Sequence, residues 1–221
     1  MTFLKQWWRQ ALIATLVIVA LEVWIAWMPS LTVAPVPAAL LREAILLGGT
    51  AWLLSYLVRS GPVTAAEMGW LRPNRSTFGW GMLCLLGLML GMVFLYLIRD
   101  WLNVEDGMAQ IGARAAHPVW MLFMFSAVAA LSEEIVYRGI LIGWLTRITG
   151  SRWSGAVLAL ALFALSHVGN WGWNYVVLAA VPGLVLTLFF VWKRDLGICV
   201  IGHFLLDFLG LLAAHFKVHL V

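Results

Sequence analysis

The chain has 221 residues, of which 63% are hydrophobic and 11% charged, and its formal net charge is +4. Soluble globular domains contain about 45–50% apolar and about 25% charged residues, so soluble, disordered and collagen-like chains are excluded. The 14 tryptophans are typical of proteins anchored at a lipid–water boundary. The basic residues form no patch with interleaved aromatics, which argues against a nucleic acid partner. The composition predicts an integral membrane protein.

Seven apolar stretches follow one another along the chain, each near the roughly 20 residues that cross a hydrocarbon core. They cover residues 11–28, 38–58, 78–98, 118–145, 154–168, 173–192 and 196–216. Because the stretches are continuously apolar, they predict helices rather than the alternating strands of a membrane barrel. The fourth is long and the fifth short, so either one boundary is misplaced or a helix is bent there.

We therefore predict a single all-α membrane domain over residues 1–221, a polytopic bundle of about seven transmembrane helices with an eighth left open. The connection over residues 59–77 carries Pro, Gly and Asn turn signals and predicts a loop. Residues 99–117 are acidic in part and predict an outer loop with an interfacial turn. With the N-terminus in the cytoplasm, nine basic residues lie on the inner side and four on the outer side, as the positive-inside rule requires.

Ionisable side chains within the apolar stretches mark function by default, because a charge in the bilayer is costly. In the fourth stretch, Glu133 and Glu134 are adjacent and Arg138 follows. Glu134 and Arg138 are four residues apart on a helix, so they face each other and can neutralise one another. Glu133 is rotated by about 100° from its neighbour, which leaves it as a candidate general base. The alternative is a packing ion pair with a spare carboxylate in a water cavity.

Two later stretches add imidazoles. His167 ends the fifth stretch, and a single histidine in an apolar helix is more often a packing residue than a ligand. In the seventh stretch, His203 and Asp207 are one turn apart, so the carboxylate can fix the ring's tautomer or act on a substrate. Helix rise places Glu133 and His167 at similar depths and His203 nearer the inner side. We predict that helix tilt brings these three side chains into one wet pocket.

Three further ionisable side chains lie in the first two stretches: Glu22, Arg42 and Glu43. We interpret them as structural. Arg42 and Glu43 are expected to be neighbours that extend toward the lipid headgroups, and Glu22 is expected to pair with another helix.

Three motifs, EExxxR, FxxxH and HxxxD, follow one another on the late helices. Their residues are Glu133, Glu134 and Arg138, then Phe163 and His167, then His203 and Asp207. In this order they resemble the CPBP family of intramembrane endopeptidases, which includes CAAX prenyl proteases and bacteriocin-processing or Abi-type proteins. The motif-bearing core covers roughly residues 118–216. One departure is Asp207, where the best-known prenyl-protein members have Asn.

The resemblance implies hydrolysis of a peptide bond in a membrane-embedded or lipidated peptide or protein. Glu133 would activate water, His167 would position it, and His203 with Asp207 would stabilise the oxyanion. A bare carboxylate repels an oxyanion, so Asp207 would have to be protonated or act through His203. The remaining motif residues would hold the helices or orient the substrate: Glu134, Arg138 and Phe163.

The use of a metal is left open by the sequence. His167, His203 and Glu133 would match a zinc site with an open water position, yet the HExxH signature is absent. The family is usually labelled metalloprotease, and some members have been described as glutamate-dependent without metal. The short, loop-poor chain resembles bacterial members, so we expect a bacterial inner (cytoplasmic) membrane. The substrate, the side to which the cavity opens and the oligomeric state stay open.

Two other functions are compatible with these residues. Paired carboxylates and histidines in membrane helices also form proton relays, as in a small proton-coupled carrier, although no inverted repeat is present. A non-catalytic immunity or scaffold protein of the same family would instead bind a partner's membrane segment. The pairs Gly87–Gly91 and Gly139–Gly143 fit the GxxxG pattern that packs helices, which occurs within one chain more often than between chains.

Overall fold

A computed structural model describes residues 2–27, 35–61, 64–98, 108–168, 172–173 and 175–219. Every regular element in these ranges is helical, which confirms the predicted all-α fold. The elements are α1 (Thr2–Trp27), α2 (Val36–Ser60), α3 (Arg75–Ile98), α4 (Met108–Ala115), α5 (Val119–Glu133), a π-helical segment (Glu134–Leu141), α6 (Ile142–Thr149), α7 (Arg152–Ser166), α8 (Tyr175–Lys193) and α9 (Leu196–His219).

Five helices of the described ranges are long and apolar enough to cross a membrane. They are α2, α3, the continuous helix Val119–Thr149, α8 and α9. Shorter apolar helices cover Trp7–Leu21 and Arg152–Ser166. Together these seven coincide with the seven apolar stretches of the sequence, because each stretch can satisfy its backbone hydrogen bonds in lipid only as a helix.

The fourth apolar stretch is long because its helix continues for 31 residues through the π-helical segment. The turn into α7 comes only at Gly150, which adopts a left-handed conformation with φ of 73°. Ser151 then caps α7 by accepting a hydrogen bond from the backbone N–H of Ser154. The π-helical segment carries Glu134 and Arg138, and such segments are frequent at functional sites.

The helix α9 packs against α3, α4, α5, α8 and the π-helical segment. Gly87 and Gly91 let α3 approach α8, since a Cβ at either glycine would lie 3.2 Å from a valine methyl of α8. This first GxxxG pair therefore packs two helices within the chain, as expected. The second pair does not form a tight contact, because nothing lies within 4 Å of a Cβ built on Gly143.

The predicted loop over residues 59–77 packs against the start of α9. Asp195 accepts hydrogen bonds from the Thr77 hydroxyl at 2.8 Å and the Gly197 N–H at 3.0 Å. Gly69 has a φ of 71°, and a Cβ there would lie 2.8 Å from the carbonyl oxygen of Arg194. Only glycine fits this close approach, which fixes the base of the helix that carries His203.

The predicted outer connection over residues 99–117 contains α4, which is consistent with an interfacial turn. Residues 99–107, with the acidic positions of that connection, and the side chain of Glu22 lie outside the described residues. The helix α4 contacts α9, and Nδ1 of His215 lies 2.6 Å from the carbonyl oxygen of Ala115. This contact holds α4 against the same helix that carries His203.

Candidate active site

Three carboxylates surround one buried imidazole. Nδ1 of His203, on α9, lies 2.8 Å from Oε1 of Glu134. Nε2 of the same ring lies 3.9 Å from Oε2 of Glu133 and 3.5 Å from Oδ2 of Asp207. The structure thus brings together four of the residues that the motifs singled out, from two helices that are distant in sequence.

The carboxylates differ sharply in their exposure. Glu134 is fully buried, whereas the side chains of Glu133 and Asp207 are 29% and 36% exposed. A buried charge is tolerated only with a partner, and Nη1 of Arg138 lies 2.9 Å from Oε1 of Glu134. Nη2 of Arg138 donates to the carbonyl oxygen of Gly183 at 3.0 Å. The ion pair predicted from the four-residue spacing is present, and it ties the π-helical segment to α8.

Glu134 has a second contact that the sequence did not reveal. Its Oε1 accepts from both Arg138 and His203, which a carboxylate oxygen with two lone pairs permits. The four-residue spacing pairs Glu134 only with Arg138. No local signal relates positions 69 residues apart, so only helix packing reveals that Glu134 anchors the imidazole.

The FxxxH motif packs directly on this ion pair. The Arg138 guanidinium lies over the Phe163 ring, 4.3 Å from its centroid, in a cation–π contact. The ring also meets His167 edge-on, with centroids 4.8 Å apart. A Cβ on Gly183 would come within 2.8 Å of the Phe163 ring. Phe163 therefore fills a space that exists because α8 has a glycine there.

His167 is oriented by its own helix. Its Nδ1 lies 2.8 Å from the carbonyl oxygen of Phe163, and because a carbonyl only accepts, Nδ1 carries the hydrogen. In the neutral ring Nε2 is then the acceptor nitrogen. On its other side the ring stacks on Tyr175, with centroids 6.0 Å apart and an interplanar angle of 19°.

The zinc alternative requires His167, His203 and Glu133 to point at one centre. Among the described residues, no three His, Cys, Asp or Glu side chains are arranged to hold a metal ion. In this arrangement, His167, His203 and Glu133 therefore do not fit a zinc ion. Whether the protein uses a metal stays open.

Arg42 and Glu43 are neighbours, as predicted, but their side chains are largely buried within the protein, so the predicted extension toward the headgroups is wrong. Glu43 is 3% exposed, and Nη1 of Arg42 lies 2.5 Å from its Oε1. The reason is that α2 packs against α5 and the π-helical segment, which turns this face of α2 inward. The carboxylate of Glu43 is close enough to Glu133 and Arg114 to interact with both electrostatically.

A further arginine, Arg114 at the end of α4, belongs to the same neighbourhood. Burial, together with the charge of Arg42, lowers its pKa, and the negative charges of Glu43 and Asp207 oppose that shift. Tyr175 is also within electrostatic range of Arg114. Motif spacing could not assign these residues to the site, because none of the four belongs to the three motifs: Arg42, Glu43, Arg114 and Tyr175.

Residues 115–209 match the family described as type II CAAX prenyl endopeptidase Rce1-like. The matched segment contains all three motifs, and it confirms the resemblance that they indicated. It supports a protease of the CAAX type, and with the apolar helices it indicates an integral membrane protein. Neither a curated protein nor a solved structure matches the chain.

Proposed function

We propose, from the kinship of this segment with CAAX-type endopeptidases, that the chain hydrolyses a peptide bond in a membrane-embedded or lipidated peptide or protein. The observation that carries this proposal is the position of His203. Nε2 of the ring faces two partly exposed carboxylates, Glu133 and Asp207, and Nδ1 is held by the buried Glu134–Arg138 pair. Such a division between a fixed side and an accessible side suits general acid–base chemistry.

Glu133 is the general base of the proposed reaction. It takes a proton from water, and the water oxygen bonds to the scissile carbonyl carbon, whose π electrons move to the carbonyl oxygen. The tetrahedral intermediate then collapses as the C–N bond breaks. The protonated Glu133 returns its proton to the leaving nitrogen, which yields an amine and a new carboxyl terminus. Its 29% exposure gives this carboxylate the access to water that Glu134 lacks.

His167 positions the water in this proposal. Its Nδ1 hydrogen is engaged by the Phe163 carbonyl, so Nε2 of the neutral ring can accept a hydrogen bond from water. The stacked Tyr175 ring and the edge of Phe163 hold the imidazole plane. A fixed ring orients the water without reorganisation during the reaction.

His203 and Asp207 act on the oxyanion as a pair. The ring gives its Nδ1 hydrogen to Glu134, so it donates to an oxyanion only when Nε2 is protonated as well. Asp207 lies beside Nε2 and supports that imidazolium. The carboxylate of Asp207 then acts through the ring rather than meeting the oxyanion directly, which would be repulsive.

The proposal is tested by comparing the termini of membrane proteins, by mass spectrometry, in cells that express the wild type, Glu133→Gln or Glu67→Gln. Glu67 is a matched control because it is an exposed glutamate in the loop between α2 and α3, paired with Arg147. New termini that depend on Glu133 but not on Glu67 support the proposal. Identical termini in all three samples overturn it.

Two further assays on the same protein distinguish the alternative functions and test for a role of zinc. Proton-driven uptake into liposomes that depends on Glu133, with no new termini, would favour the carrier. Cleavage that stops after chelation and returns only with added Zn²⁺ would support a zinc enzyme. Cleavage that survives exhaustive chelation would favour the glutamate-dependent reaction.

A further inference from the structure

The predicted catalytic residues offer no neutral hydrogen-bond donor for the oxyanion. Glu133 and Asp207 are carboxylates, which only accept when ionised. The Nδ1 hydrogen of His203 is directed at Glu134, and Nε2 of this ring donates only when the imidazole is charged. Oxyanion stabilisation in acyl transfer relies on donors placed before charge develops, and a single donor contributes about 10²–10³ in rate.

Tyr175 has a fixed place beside the predicted water-positioning residue. It begins α8, and its ring stacks on His167 at a centroid distance of 6.0 Å. The same ring packs against the buried cluster that contains Tyr137 and Phe163. These contacts hold a half-buried phenol at the site from an element that the three motifs do not include.

Tyr175 is also within electrostatic range of the other half of the site. Its electrostatic neighbours are Glu133 on α5, Asp207 on α9 and Arg114 on α4. The ring of Tyr175 therefore contacts one predicted catalytic imidazole, and the residue lies within electrostatic range of both accessible carboxylates.

We propose that Tyr175 is a catalytic residue whose hydroxyl donates a hydrogen bond to the scissile carbonyl oxygen as negative charge develops there. The inference rests on the proposed endopeptidase function. The phenol keeps its proton throughout, so no bond of Tyr175 forms or breaks. It supplies the neutral donor that Asp207 does not, and its ring stack on His167 places that donor next to the attacking water.

Tyr175→Phe tests the role of the hydroxyl, because it keeps the ring stack and removes only the donor. The substrate is a fluorogenic peptide that spans a cleavage site found in the comparison of membrane-protein termini, with enzyme in liposomes. We expect kcat to fall about 10²-fold while KM changes by less than about threefold. Tyr56→Phe is the matched control, since Tyr56 stacks on Trp52 within α2 and its variant is expected to match the wild type.

Tyr175→Leu separates the hydroxyl from the ring. If only the ring matters, Tyr175→Phe keeps the wild-type kcat while Tyr175→Leu loses it, and the inference is overturned. A change confined to KM in Tyr175→Phe also overturns it. Glu133→Gln is measured alongside: full activity of this variant overturns the proposed function itself. Loss in Glu133→Gln with wild-type activity in Tyr175→Phe overturns the Tyr175 inference alone.

Discussion

The two sides of the His203 ring use the same residue type in opposite ways. On the Nδ1 side, Glu134 is fully buried and bonded to Arg138. On the Nε2 side, Glu133 and Asp207 are partly exposed. Burial therefore determines what each carboxylate can do. A buried carboxylate with a permanent counter-charge fixes geometry, and an accessible one is available for proton transfer.

Glu133→Gln gives the largest expected effect on activity. The amide keeps the size of the side chain but cannot take a proton, so we expect kcat to fall by about 10³-fold. Because this position is partly exposed and His203 keeps Glu134 and Asp207 as partners, the thermal unfolding midpoint in detergent should stay near that of the wild type. A variant that loses stability instead would contradict the division between the two sides.

Arg138→Met is the matching change on the buried side. It leaves Glu134 without its guanidinium partner, and removing one member of a buried pair costs about 3–5 kcal/mol. The loss should appear as a lower free energy of unfolding in mixed detergent micelles. Arg138→Lys keeps the charge but loses the forked contact with Gly183, so we expect an intermediate loss. Wild-type stability of Arg138→Met would show that the pair does not stabilise the bundle.

Gly183→Ala probes the packing that supports the buried side. The added methyl would lie within 2.8 Å of the Phe163 ring, and overpacking of this kind costs about 1–3 kcal/mol. Gly143→Ala is the control, because nothing lies within 4 Å of its Cβ position and alanine favours the helix. Equal unfolding free energies for the two variants would contradict the close approach of α7 and α8.

The smallest effect on stability is expected for the exposed Glu67–Arg147 ion pair, in contrast to the buried Glu134–Arg138 pair. Slight burial raises the pKa of Glu67, but hydrogen bonds from Thr64 and the charge of Arg147 outweigh it, so the pKa is lowered on folding. A lowered carboxyl pKa stabilises the fold above the ordinary pKa, and this contribution disappears as pH falls through the folded value. Because solvent screens the pair, its contribution is below about 1 kcal/mol.

Unfolding of the wild type and Glu67→Gln between pH 7 and pH 3 measures this contribution. The two proteins should differ slightly at pH 7 and converge as the carboxyl protonates. A difference that grows at low pH would reverse the expected sign.

Local patterns in the sequence were sufficient for the helices and for contacts within one helix. Each apolar stretch became a helix because the bilayer permits little else. The four-residue spacings brought Glu134 to Arg138 and Asp207 to His203, since such residues share a helix face. The match to residues 115–209 bears out the motif order.

Contacts between helices were decided by the tertiary structure alone. Helical periodicity states which residues share a face but not which helix that face meets. The bond from Glu134 to His203, the inward position of Glu43 and the stacking of Tyr175 on His167 all depend on how α2, α8 and α9 pack. The sequence determined which groups are costly to place in a membrane, and the packing of the helices decided which of those groups meet.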